Sequence, residues 1–249
     1  MGAAVERVCL VLSGPVTVTV GALSTMLRAQ GIGELPVAIR PGAVWRDPDG
    51  DREAEAAALA EFREIRWVDR GSRLDGDALD SLHVLARPGV EYTAILVHAE
   101  RQDAVVVAGR GDEAVIAYRE GDAVTLSCLR HQSLPETLLR QIPDARPAPI
   151  DALNARVADM DARNGEADPV GDARMLARLG RRRLVGQGEL SVATRDHYGR
   201  RQVSGPIRYQ DYKFGRVVIV VSGGYVSVAP ATKTLLLARL REAHRALIE

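Results

Sequence analysis

Cysteine is almost absent from this sequence. The 249 residues include only Cys9 and Cys128, which lie far apart and form no C-x-x-C pair. A disulfide-stabilised scaffold and a cysteine-rich zinc site are both excluded, because each needs several suitably spaced cysteines. This scarcity is compatible with a reducing cytoplasm but does not establish one.

Excess charge and aromatic residues are also lacking. The formal net charge is zero, and aromatic side chains make up 4% of the chain. A general nucleic-acid-binding protein needs a basic excess, and a single-strand binder needs aromatic stacking platforms. The composition therefore argues against nucleic acid as a partner. Lysine occurs only as Lys213 and Lys233, and we attribute the many dispersed arginines to a GC-rich genome.

Long apolar runs are missing as well. The nearest case is the uncharged segment 8–27, but Gly14 and Pro15 interrupt it and residues 16–20 alternate valine with threonine. A period of two predicts a strand, whereas a spanning helix needs about 20 apolar residues. The segment also lacks the basic start and small-residue cleavage site of a signal peptide. We therefore expect no membrane association, and residues 1–13 form a short leader that fits no element.

The first part of the chain predicts helices followed by four strands and a further helix. A strand at 15–20 leads into helices at 23–30, 53–65 and 77–86. Hairpin turns then connect predicted strands at 92–99, 104–108, 114–118 and 123–127. Ser133 and Glu136 follow with the spacing of a capping box, and Pro135 suits the first turn of the helix they would begin.

The second part repeats this order after the proline-rich joint 142–150. Two polar helices are predicted at 151–163 and 170–182. The strands that follow are predicted at 189–194, 204–209, 216–221 and 225–229. A last amphipathic helix runs from about residue 231 to the end, with Leu236, Leu240 and Leu247 on one face.

The two parts also resemble each other in sequence. A shift of 102 residues aligns Gly121 with Gly223, and it aligns Leu138 with Leu240 without a gap. We therefore expect one domain, residues 1–249, built from two similar halves at about 14–143 and 150–249. The predicted fold class is α+β, with a pseudo-two-fold repeat, a central antiparallel sheet and helices packed on it.

No motif in the sequence assembles a catalytic site. None of the five histidines has metal-ligand spacing, and the glycine-rich stretch 108–114 precedes a strand, whereas a phosphate-binding loop must open a helix. No G-x-S-x-G elbow is present. We expect no catalytic residue, no metal and no cofactor, and hence a protein that binds rather than one that reacts.

Several motifs resemble the EspG family of secretion-associated proteins from actinobacteria. In the second half these are "GQGELSVATRDHYGRR" and "GRVVIVVSGGYVSVAPA"; in the first half they are "GIGELPVAI" and "LDGDALDSLHVLARPGVEY". Their order and spacing extend the similarity over about residues 16–247. The second strand of the second half, "SGPIRYQDY", is more polar than its counterpart "DAVVVAG", which is a departure from a strict repeat.

The resemblance implies a function. EspG proteins are cytoplasmic chaperones of type VII (ESX) secretion, with a pseudo-two-fold α/β fold and no cofactor. In mycobacteria they bind the apolar tip of a helical PE–PPE heterodimer and keep it soluble. The partner implied for this chain is such a pair or a related helical heterodimer. Two alternatives stay open: a self-associating structural protein, homodimeric without a client, and an enzyme or ligand-binding protein with an unrecognised site.

A chaperone of this kind needs an exposed, partly apolar sheet face with a polar rim. Aromatic and arginine side chains are the usual anchors of such interfaces. The candidate anchors in the second half are Arg195, Tyr209, Tyr212 and Tyr225. In the first half, Glu100 and Arg101 lie in a hairpin loop that we expect to be mobile and to clasp the partner.

Overall fold

The computed structural model describes residues 14–43, 45–69, 71–129, 132–160 and 170–249, and the predicted leader 1–13 lies outside them. Within these ranges the strands form one eleven-stranded sheet in which every pairing of named strands is antiparallel. The strands are β1 (Val16–Thr19), β2 (Val90–His98), β3 (Arg101–Arg110), β4 (Glu113–Glu120), β5 (Ala123–Leu129), β6 (Leu153–Arg156), β7 (Gly186–Arg195), β8 (Arg201–Val203), β9 (Ile207–Tyr212), β10 (Gly215–Ser222) and β11 (Tyr225–Pro230).

Helices occupy both faces of this sheet. They are α1 (Val20–Ala29), α2 (Pro48–Glu64), α3 (Gly76–Ala86), α4 (Leu134–Arg140), α5 (Gly171–Gly180) and α6 (Lys233–Ile248). Side-chain oxygens cap several of them, as when Thr19 accepts a hydrogen bond from the Ala22 amide at 3.1 Å and Thr232 accepts one from Leu235 at 3.1 Å. None of the helices in the described ranges is long and apolar enough to cross a bilayer.

The centre of the sheet is the β2–β7 pair. Its register runs from Val90 opposite Thr194 to His98 opposite Gly186. From this seam the order is β3, β4, β5, β1 on one side and β9, β10, β11, β6 on the other, with β8 paired to β7. Four strands therefore follow on each side of the seam, and the seam itself joins the first and second parts of the chain.

The 102-residue shift also relates strand bounds in the two parts. It converts the bounds of β4, Glu113–Glu120, into those of β10, Gly215–Ser222. It likewise converts the hairpin pair Glu120–Ala123 into the pair Ser222–Tyr225. The α+β class and antiparallel sheet are confirmed, whereas the division of a single domain into halves at 14–143 and 150–249 stays a prediction.

The two faces of the sheet are covered differently. We call the face that packs against α1 to α3 and α5 the front face, and the face that packs against α4 and α6 the back face. On the front, Val106 and Ala117 pack with the first three helices, and Val217 packs with α5. On the back, one continuous core joins Tyr92 and Leu190 to the helices α4 and α6. That back core spans the seam and holds both parts together.

Two local predictions were wrong. The described part of the helix predicted at 151–163 contains β6 instead, because Leu153 and Ala155 are buried at alternate positions and the edge of β11 supplies backbone partners; residues 161–163 lie outside the described ranges. The capping box does not form either: the Ser133 hydroxyl donates to the Glu136 carboxylate and makes no bond to the helix backbone. Pro135 does lie in the first turn of α4, as expected.

Candidate partner-binding surface

Among the described residues, no α-helix packs on the middle of the front face. The helix α3 packs against β3 and β4, and α5 packs against β6, so a gap lies between them over β2, β7, β9 and the adjoining part of β10. The back of the same strands is covered by α4 and α6. We call this exposed part of the front face the front strip. Its lining residues are Ile95, Val97, Gln187, Gly188, Glu189, Arg208, Tyr209, Gln210 and Ile219.

The front strip has an apolar floor and a polar border. An open cleft of about 310 Å³ runs along it. Ile95, Val97 and Ile219 are half-buried, so part of each side chain stays in contact with water. The amides of Gln187 and Gln210 border them. Apolar area within a polar rim is the composition of protein-binding surfaces, and it matches the surface expected from the sequence.

An ion pair crosses the strip. Glu189 and Arg208 lie directly opposite each other on β7 and β9, and Arg208 Nε donates to Glu189 Oε2 at 2.9 Å. The two side chains keep 47% and 54% of their surface exposed, and pairs of this kind contribute only about 0–1 kcal/mol to stability. Both groups are therefore available to form hydrogen bonds with a partner at little cost to the fold.

A glycine on β7 shapes the sheet beneath the strip. The ring of Tyr209 lies across Gly188 on the back face, and a Cβ at Gly188 would be 2.4 Å from Tyr209 Cε1. The Arg216 guanidinium lies 4.2 Å from the ring centre on the same face. Burial raises the pKa of the Tyr209 hydroxyl to about 12, so it stays protonated. Tyr209 therefore packs against the back of the strand that carries the strip.

The structure places the predicted anchors Tyr209 and Tyr212 in buried positions. Their exposed fractions are 2% and 6%. Tyr212 donates a hydrogen bond to Gln210 Oε1 at 2.7 Å, and its ring stacks on Phe214 in the core beside α5. Little of either ring is exposed, and their role in binding stays a prediction. Tyr209 and Tyr212 are three residues apart in β9, so their side chains lie on opposite faces of the sheet. Both faces are covered at those positions.

Arg195 and Tyr225 lie at the upper end of the sheet, where β7 ends and β11 begins. Arg195 is exposed, and its Nη1 donates to the Gly199 carbonyl at 3.1 Å. Tyr225 is 39% exposed on the opposite, back face, where its hydroxyl accepts a hydrogen bond from Arg156 Nε at 3.0 Å. Both are accessible, but a single flat partner surface would not contact both at once. Their role in binding stays a prediction.

Glu100 and Arg101 lie at the lower end of the sheet. The turn between β2 and β3 consists of Ala99 and Glu100 only, and Ala99 has a positive φ of 54°. Arg101 belongs to β3, where it pairs with Asp103 at 3.0 Å and with Glu120 at 2.5 Å. These contacts tie Arg101 to its own sheet in a tight hairpin, and the expected clasping role of Glu100 and Arg101 stays a prediction.

The residues of the front strip were not among the sequence-based candidates. In "VVIVV" of β10 every residue is apolar, so the sequence gives no sign that Ile219 lies beside a gap while Val217 lies under α5. A useful signal was present in β7 and β9, where Gln187, Glu189, Arg208 and Gln210 place polar groups on one face of two central strands. Within the described ranges, no group of metal-ligating side chains forms a metal site.

The described part of the chain defines an α+β protein with one antiparallel sheet, helices on both faces and, among those residues, an uncovered strip at the centre of one face. The model of the EspG family matches residues 19–242, and the chain therefore belongs to the EspG family. The resemblance noted in the sequence is confirmed.

A solved structure has the same fold. It is the Mycobacterium tuberculosis type VII secretion system chaperone EspG5 in complex with a PE25–PPE41 dimer. The alignment covers 92% of this chain and 95% of that chain, with a TM-score of 0.66 and 18% sequence identity. At this identity the similarity concerns the fold. A comparison with curated proteins gave no match.

Proposed function

We propose that this protein is a chaperone of type VII secretion, which binds a helical secretion substrate in the cytoplasm and keeps it soluble. The observation that carries the proposal is EspG family membership over residues 19–242. The fold shared with EspG5, a chaperone solved with its PE25–PPE41 client, supports the same function.

The front strip is the surface that suits the client. A substrate that must be kept soluble has an exposed apolar end, and Ile95, Val97 and Ile219 offer a matching apolar floor. The Glu189–Arg208 pair and the two glutamines fix orientation, because they donate and accept hydrogen bonds at the edge of that floor. The proposed partner is a PE–PPE-like heterodimer or a related helical pair.

The proposal assigns binding, without catalysis or a cofactor. The polar groups of the strip are two amides and a paired glutamate and arginine. Such groups recognise a protein surface, whereas a reaction needs a nucleophile with a base positioned beside it. Self-association through the same strip is the alternative, because an apolar sheet face can also be covered by a second copy.

Co-expression followed by native mass spectrometry tests the function. The chain is produced with a PE–PPE-like pair encoded beside it, and each component is also produced alone. We expect a complex with one copy of each of the three chains and a soluble client only in the presence of the chaperone. A chain that stays monomeric or dimeric, beside a client that is soluble without it, would refute the proposal.

A further inference from the structure

A second concave surface lies at the upper end of the front face. It is a groove of about 700 Å³ between the segment around Val37, the end of α3 at Arg87 and the turn that follows β7 at Arg195. We call it the upper groove. Its walls come from both sides of the β2–β7 seam, and the same two strands carry Ile95 and Glu189 of the front strip.

The groove has an excess of arginine over available carboxylate. Each carboxylate in its lining already pairs with an arginine: Glu34 with Arg40 at 2.9 Å, Glu91 with Arg201 at 2.9 Å and Asp196 with Arg200 at 3.0 Å. Arg87, Arg110 and Arg195 also line the groove, and none of them makes an ion pair with any described residue. Three positive charges are therefore available to a ligand.

The strand pairing places two arginines directly opposite each other. Arg195 on β7 faces Arg201 on β8 in register, and like charges in that position destabilise a sheet. Buried Glu91 offsets Arg201, to which it is bound, and it is held by the Thr93 hydroxyl at 3.0 Å. Among the described residues, the Arg195 guanidinium forms a hydrogen bond only with the carbonyl of Gly199. An acidic ligand beside Arg195 would relieve the repulsion.

The shape and floor of the groove restrict the ligand further. A concave surface with walls of low dielectric focuses the field of its charges, whereas the exposed arginines along α5 lie on a convex helix. The floor and rim are apolar at Leu35, Pro36 and Val37, and Val37 is 71% exposed. A ligand that carries both carboxylates and apolar side chains matches this surface.

We infer that the upper groove binds an acidic, partly apolar peptide segment of the client, next to the part of the client held by the front strip. This inference rests on the proposed function, because the segment belongs to the same secretion substrate. Arg87, Arg110 and Arg195 bind its carboxylates, and Val37 contacts its apolar side chains. The groove adds charge-dependent selection to the apolar contact of the strip.

A charge-neutralised variant tests the inference. The variant R87Q/R110Q/R195Q removes the three available charges. The matched control is R174Q/R178Q/R182Q, which removes two exposed arginines of α5 and one exposed arginine just after the helix. Client binding is titrated at low and at high ionic strength. We expect the groove variant to bind about tenfold more weakly than wild type at low ionic strength, with the difference lost at high ionic strength. The control variant should match wild type.

A synthetic peptide of alternating glutamate and leucine provides a client-independent probe. We expect it to bind wild type and the control variant and to lose at least about tenfold in affinity for the groove variant. Equal binding to all three proteins, or displacement of the peptide by inorganic phosphate alone, would overturn the inference. A client that fails to bind wild type would contradict the proposed function instead, while the peptide still reports on the groove. Equal melting temperatures establish that the variants fold.

Discussion

Arg216 holds Asp211 through two hydrogen bonds. Its Nε donates to Oδ1 at 2.6 Å and its Nη2 donates to Oδ2 at 2.8 Å. The guanidinium is 2% exposed, lies over the Tyr209 ring and also donates to the Pro143 carbonyl at 2.9 Å. This one side chain therefore ties β9 and β10 to the segment that joins the two parts of the chain.

Removal of Arg216 should destabilise the protein strongly. Arg216→Met leaves the Asp211 carboxylate, which is only 17% exposed, without its cation, and breaking a buried pair in this way costs about 3–5 kcal/mol. Urea unfolding measures the loss. The double variant R216M/D211L should cost less than the sum of its single variants, because both charges are gone. A loss below about 1 kcal/mol for R216M would show that the pair does not hold the linker.

Gly188 should not tolerate a side chain. A Cβ there would overlap the Tyr209 ring, and overpacking of this kind costs about 1–3 kcal/mol. We expect Gly188→Ala to lower the free energy of unfolding by that amount and Tyr209→Leu to relieve much of the added cost in the double variant. Gly205→Ala is the control, because a Cβ at Gly205 has no neighbour within 4 Å. Equal stability of G188A and G205A would contradict the packing described.

Stability should fall on mild acidification through His244. Its Nδ1 lies 2.7 Å from the Tyr92 hydroxyl, and burial lowers the pKa of this histidine below its ordinary 6.5. The unfolded chain therefore binds a proton at a higher pH than the folded chain does. Stability is fully present above 6.5 and is lost as the pH falls through the lowered pKa.

The variant His244→Gln checks this assignment. It cannot protonate, so its melting temperature should depend less on pH between about 7 and 5 than that of wild type. Tyr92→Phe removes the hydroxyl that forms this hydrogen bond and should lower the melting temperature at neutral pH, where the wild-type bond is intact. If H244Q and wild type keep the same dependence on pH over this range, another group is responsible for it.

The strands and their pairing were largely predictable from the sequence. Period-two alternation and hairpin turns located four strands in each part, and the bounds of β4 and β10 follow the 102-residue shift seen in the sequence. The prediction of the last helix was also correct, because Leu236 and Leu240 lie on its buried face. These features depend on local patterns, which a single sequence contains.

The coverage of each strand face was not predictable in the same way. Tyr209 and Tyr212 belong to one short strand, yet α6 covers one and the core beside α5 covers the other. The strand β6 has a period-two pattern of only four residues, and it forms where the edge of β11 supplies its backbone partners. Such outcomes depend on elements far along the chain. The front strip lies between two helices, and only the polar residues on one face of β7 and β9 indicate it in the sequence.

A comparison of two neighbouring residues of β10 is the most direct test that the front strip binds the client. Ile219 is half-buried on the front strip, and Val220 is half-buried on the back face. Client affinity is measured by calorimetry for Ile219→Glu and for Val220→Glu, after equal melting temperatures have been established. We predict that I219E weakens client binding at least tenfold, roughly the effect of losing an interface anchor, while V220E binds as wild type does. Equal affinities for both variants, or a loss confined to V220E, would contradict the front strip as the client-binding surface.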